Sequence, residues 1–250
     1  MTRKRKFILI VLAFVAMILA LKEGVDFFNL DIISIGPFFS PLIAGVVFTI
    51  AIILGSVLAD YKESEKIPGE LAASIKSLYK DTRLIQVKDK EIVAEMQSHI
   101  KDLLHVINSN FRQNKWKLTK INEATSNIDE DIIRLAKMGV APQFLVKFRI
   151  ELTNIEKISN RVEIIIETTF IPIAYTIAQL ATAMLLSAFI FLKIEPFYEG
   201  IVALGGISFL LISLLLLIKD MDNPFEVDKD SYANVDLKIL FKLEEYLKNI

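Results

Sequence analysis

Apolar residues gather along this chain in four long, nearly charge-free blocks, separated by stretches where Lys, Arg, Asp and Glu mix with regularly spaced Leu and Ile. The second block is the clearest. Ile32 to Ala59 carries no charge, and its centre, Pro41 to Ala59, is 19 residues long. At roughly 1.5 Å per residue a helix of that length covers about 28 Å, close to the thickness of a bilayer's hydrocarbon core, where only a helix or a closed barrel satisfies its own backbone. The block is therefore predicted to span a membrane. Ala44, Ala51, Gly55 and Ala59 recur in it at helical spacing with Phe48 among them. Such a face either packs closely on another helix or lines a hole.

The other three blocks follow the same logic. The basic cluster Thr2 to Lys6 precedes 15 apolar residues, Phe7 to Leu21. That run is short for a span, but tilt, snorkelling of Lys22 and extension towards Val25 to Phe28 complete it. No A-x-A cleavage pattern follows, which favours an uncleaved anchor over a signal peptide, and the positive-inside rule holds the basic end in the cytoplasm. The segment from Lys22 to Ser40, with Glu23, Asp26 and Asp31, reads as an outside loop. Its apolar half, including Phe27, Phe28 and Phe39 around Gly36-Pro37, is expected at the interface or over an outer mouth. Thr168 to Leu192 is the third span, with Pro172 predicting a kink and Thr176, Gln179, Thr182 and Ser187 either bonding between helices or wetting a pathway. Lys193 to Glu199 makes a second outside turn. Gly200 to Ile218 is the fourth span, and Lys219 returns the chain to the cytoplasm. The scheme is a multi-pass protein of the cell membrane with both termini cytoplasmic.

Between the second and third spans the periodicity is that of water-soluble helices. Leu71, Ile75 and Leu78 follow a first turn at Pro68-Gly69-Glu70. Ile92, Met96, Ile100, Leu103, Ile107 and Phe111 make a second stripe, and Leu118, Ile121, Ile128 and Ile132 a third, which stops near Gly139 before Pro142. From Phe144 a fourth stripe, Phe148 to Ile165, runs towards the third span and predicts one very long helix leaving the membrane. Strand patterns are missing. The expected class is all-α, divided into 1–60 (two spans and a short outside loop), 61–167 (cytoplasmic helical bundle), 168–219 (two further spans) and 220–250 (an acidic segment and a last helix).

Composition narrows the chemistry. The 250 residues are 53% hydrophobic with net charge -1, and no large basic patch invites nucleic acid. Cysteine is absent, which excludes disulfides, thiol catalysis and Cys-based zinc sites. His99 and His105 are six residues apart, on different faces of a helix, and Glu95 is placed to join only His99, so a shared metal ion is not expected. No phosphate-binding glycine loop and no nucleophile elbow is present, and an enzyme is not the expected reading.

The stretch Asp222-Asn223-Pro224-Phe225-Glu226-Val227-Asp228-Lys229-Asp230 leaves the fourth span. It reads either as a helix stop at Asn223-Pro224 or as a set of oxygens for a divalent cation, although it lacks the glycine and the terminal glutamate of an EF-hand. Asn234-Val235-Asp236 is expected to cap a last amphipathic helix carrying Leu237, Leu240, Phe241 and Leu247. These residues resemble the bestrophins: Asp222-Asn223-Pro224-Phe225 after a fourth span, an acidic stretch, then Asn234-Val235-Asp236-Leu237. The second span does so too, in Pro41-Leu42, Phe48 and Tyr61. The segment from Asp60-Tyr61-Lys62-Glu63 to Ile67-Pro68-Gly69-Glu70 is similar to the bestrophin-like proteins of prokaryotes.

The resemblance implies a homopentameric ion channel in the lipid bilayer, with five copies of the second span around a pore for inorganic ions. The pore-lining positions it implies are Ser40, Ala44 and Phe48, with Ile52 supporting the Phe48 ring as the constriction. Of the first three only Phe48 keeps the bulky apolar character of a bestrophin neck. It also implies a Ca2+ contact at Asp222, Glu226, Asp228 and Asp230, where Glu226 replaces the usual glycine. The outside segments hold five carboxylates, Glu23, Asp26, Asp31, Glu195 and Glu199, against Lys22 and Lys193, which predicts a cation preference. The alternative is a non-conducting scaffold or sensor that acts through its cytoplasmic bundle. It expects the small face of the second span to be covered by the third or fourth span of the same chain.

Overall fold

The computed structural model of the chain describes residues 3–34, 36–37, 39–85, 90–167, 172–226 and 233–250. Among them the helices are α1 (Arg3–Phe27), α2 (Phe39–Ser64), α3 (Ile67–Thr82), α4 (Glu91–Arg112) and α5 (Leu118–Lys137), then α6 (Pro142–Glu167), α7 (Pro172–Ile190), α8 (Phe197–Met221) and α9 (Lys238–Lys248). The all-α class holds, and α1, α2, α7 and α8 are each long and apolar enough to cross a membrane. Two short strands were not expected. β1 (Ile33–Ser34) and β2 (Leu192–Lys193) pair in parallel, with Ile33 opposite Leu192. The segment joining α1 to α2 and the one joining α7 to α8 run side by side there, and extended backbone away from a helix satisfies its N–H and C=O groups on whatever strand lies next to it.

The chain forms two compact units, one holding α1, α2, α7 and α8 and the other α3 to α6 with α9. In the first, α1 packs on α8 and α7, and α7 on α8. Each span buries one stripe: Val11, Val15 and Ile18 on α1, Val46, Ile50, Ile53 and Val57 on α2, Leu204, Leu211 and Leu215 on α8. The spacing is that of one helix face, and the other faces stay outside because lipid accepts apolar side chains as readily as a core does. Gly200 lies in the first turn of α8, where a Cβ would meet the Ile194 Cβ at 3.1 Å, so a larger residue there needs Ile194 to give way by a few tenths of an ångström.

In the second unit the predicted stripes become the core. Leu71, Ile75 and Leu78 on α3, Met96, Ile100 and Leu103 on α4, Ile121 and Ile128 on α5, and Phe148 and Ile155 on α6 are all fully buried. α3 packs on α6, α4 and α9, α5 on α4 and α6, and α4 also on α9. Pro68 sits in the first turn of α3, where its missing N–H costs no hydrogen bond. α5 stops as expected: Gly139 takes φ +81°, and the Val140 N–H returns to the Leu135 carbonyl at 3.2 Å. The long helix predicted from Phe144 begins at Pro142 and is described to Glu167; its passage into the third span falls at 168–171, outside the described residues. Pro172 is the first described residue of α7, so the kink expected there also lies outside them.

Candidate functional site

The second span has two unlike faces. Val46, Ile50, Ile53 and Val57 join one apolar cluster with Ala178, Leu185 and Phe189 of α7 and Leu204 and Leu211 of α8. Ser40, Ala44, Phe48 and Ile52, four residues apart, lie on another face and are all exposed, Phe48 by 67% and Ile52 by 58%. Gly45, Ala51, Gly55, Ser56 and Ala59 flank them, also exposed. A Cβ added at Gly45 or Gly55 would meet nothing within 4 Å. The Thr49 hydroxyl bonds the Gly45 carbonyl at 2.8 Å, which keeps it on its own helix. The four residues singled out from the sequence therefore share one open face of α2.

Above this span, Lys22 departs from expectation. It was predicted to snorkel outward, but it is 3% exposed and donates to the Leu192 carbonyl at 2.7 Å and to Asp26 Oδ1 at 2.5 Å. A buried ammonium needs partners of this kind, and the strand pairing of Leu192 brings one within reach. Lys193 pairs with Glu195 at 3.3 Å. Lys22 and Lys193 thus each hold an acidic neighbour, and Glu23, Asp31 and Glu199 are the remaining carboxylates of the segments expected outside.

The histidines take separate carboxylates on separate helices. His99 Nδ1 lies 2.6 Å from Asp131, and His105 Nδ1 lies 2.8 Å from Glu244. Glu95, the third member of the set considered from the sequence, accepts from Arg134 at 2.8 Å. Asp131 and Glu244 are both buried and were missed by sequence reasoning, because they follow His99 by 32 and His105 by 139 residues and only the packing of α4 on α5 and α9 brings them together. Burial pushes the Asp131 carboxyl up in spite of the His99 bond. Burial pushes Glu244 up as well, but hydrogen bonds from His105, Asn108 and Lys248 and the charge of Arg112 outweigh it and hold the carboxyl at about 2. Among the described residues no group of three or more His, Asp or Glu side chains is placed to hold a metal ion.

Solved structures settle the architecture. Crystal structures of three variants of a bacterial bestrophin homologue from Klebsiella pneumoniae match the chain with TM-scores of 0.74, 0.75 and 0.79. The matches cover 98–99% of this chain and 98% of theirs, at 12–14% sequence identity. The chain has the bestrophin fold. No protein-family description and no curated protein matches the sequence itself.

In this bestrophin-like chain the segment after the fourth span is anchored by its aromatic residue. Phe225 is buried with its ring 5.6 Å from that of Phe111, which lies 4.8 Å from Trp116, and the Trp116 indole N–H donates to the Ser159 carbonyl at 3.2 Å. Of the four carboxylates implied for Ca2+, Asp222 and Glu226 are described, while Asp228 and Asp230 lie outside the described residues. A Ca2+ ion takes six to eight oxygens, so the contact that the resemblance implies draws on all four carboxylates. Asn234 does not cap the last helix. Its side chain donates to the Glu226 carbonyl at 2.5 Å, and within the expected capping stretch it is Asp236 whose Oδ1 accepts from the Lys238 N–H, at 3.0 Å, at the start of α9.

Proposed function

We propose that the protein is an oligomeric, bestrophin-like ion channel whose pore is lined by the exposed face of α2, with Ser40, Ala44 and Ile52 around a ring of Phe48 side chains. The observation that carries this reading is the pair of unlike faces on α2. The chain's own spans pack on the Val46–Ile50–Ile53–Val57 side and leave the Ser40–Ala44–Phe48–Ile52 side open. The scaffold reading expects the reverse, a small face covered from within the same chain, and so is disfavoured. A ring of Phe48 side chains is the kind of apolar constriction that gates by dewetting. Five copies, the number the bestrophin resemblance implies, close such a ring. With three more acidic than basic residues per copy in the outer segments, the mouth concentrates cations. Both termini face the cytoplasm in this arrangement, with the basic start of α1 inside.

The test is single-channel recording of the purified protein in planar bilayers under asymmetric salt, with Phe48→Ala beside the wild type. The expected result is a larger conductance in the variant and a reversal potential shifted towards that of the cation. Silence from both, in a preparation shown to be folded and oligomeric, overturns the channel. A reversal potential at the anion value replaces the cation preference and leaves the pore standing.

A further inference from the structure

A groove of about 420 Å³ runs between α3 and α9. Its floor is made by small side chains, Gly69, Ala72 and Ala73, one turn inside α3. Its far wall is the apolar face of α9, where Ile239, Leu243 and Tyr246 recur at helical spacing. Lys76 and Lys242 also line it, one from each helix, and no acidic residue does.

Three observations say what this groove fits. Lys76 and Lys242 make no ion pair among the described residues, whereas Lys248 on the same helix is paired with Glu244, and Lys147 with Asp81. Two uncompensated cations beside an apolar trough complement an anionic head joined to an apolar tail. The volume lies within the range of roughly 300–1,000 Å³ of small-molecule sites, which are mostly apolar with a few polar groups. Only eight residues line it, against about 20–30 on each side of a stable protein interface, so a second protein surface is the poorer occupant. A carboxylate offers two equivalent oxygens, one for each ammonium, and accepts only.

We propose that the α3–α9 groove binds a long-chain fatty acid, its tail laid along Ala73 and Leu243 and its carboxylate between Lys76 and Lys242. The site shares no residue with the α2 face and does not depend on the channel reading.

The test uses the full-length protein in nanodiscs, photolabelled with a diazirine-bearing palmitate and with a hexadecanol carrying the same diazirine, and digested for mass spectrometry. Labelling by the palmitate probe is expected on the α3 and α9 peptides, competed by unlabelled palmitate. It should fall roughly tenfold in the double variant Lys76→Glu with Lys242→Glu, as expected for the loss of two exposed charge contacts. It should fall similarly in Ala73→Trp, which fills the floor from an exposed position and is checked for folding by size-exclusion chromatography. Equal labelling of α3 and α9 by hexadecanol overturns the proposal, as does labelling confined to the spans or labelling unchanged in Ala73→Trp. Dissociation of the oligomer in Ala73→Trp also overturns it, because the groove is then a contact between copies.

Discussion

α2 and α4 each bury one stripe of apolar side chains, yet what they leave outside differs in kind. On α4 the exposed positions are Glu91, Ala94, Ser98, Asp102, His105 and Arg112, nearly all polar. On α2 they include Leu42, Ala44, Phe48, Ala51 and Ile52. Water outside the bundle makes polarity a faithful report of exposure, so the period of the pattern names the buried face. Lipid outside the spans removes that report, and side-chain size is the signal left. In the proposed channel, stability rests on the buried stripes and conduction on the open face of α2, a division that substitutions can break.

The largest loss is expected at the bundle core. Phe148→Ala empties a fully buried ring position and should cost about 3–5 kcal/mol. Denaturation followed by Trp116 fluorescence measures it, and a loss under about 1 kcal/mol would mean that the bundle repacks freely. Next comes Glu244→Gln, expected to cost about 2–3 kcal/mol by removing the acceptor shared by His105, Asn108, Arg112 and Lys248. Its pH dependence has a defined sign. The native carboxyl titrates at about 2 against an ordinary 4.5, so its stabilisation is full above pH 4.5 and is lost as pH falls towards 2. The variant should lose that slope.

Asp131→Asn is expected to matter less, under about 1 kcal/mol near neutral pH, because burial already disfavours the charged form there. With its native pKa raised, the group favours the folded state more as pH falls, the opposite slope to Glu244. Matching slopes from the two pairs would break the distinction between them. The smallest change in stability is expected from Phe48→Ala, within about 0.5 kcal/mol for the folded chain, although the proposed pore makes its conductance the most altered. A loss at Phe48 comparable with that at Phe148 would show that the open face is a packing surface after all.

The bestrophin fold was legible from short stretches: four charge-free blocks, Pro41-Leu42 with Phe48, and Asp222-Asn223-Pro224-Phe225. The second and fourth spans were predicted shorter than observed, since α2 runs from Phe39 to Ser64 and α8 from Phe197 to Met221, because polar residues at a span's ends continue the helix without lengthening the apolar run. Of the candidate pore residues the spacing alone placed all four near one face. It did not say whether that face was covered.

By itself the sequence determined the membrane class, the number of candidate spans and the buried stripes of the bundle, since each follows from hydropathy and period along one helix. Tertiary structure alone decided that Lys22 turns inward to Leu192, that His99 and His105 find Asp131 and Glu244, and which face of α2 stays open. Each of these is a contact, or the lack of one, between segments far apart in the chain, and a local pattern carries no record of what a helix will meet.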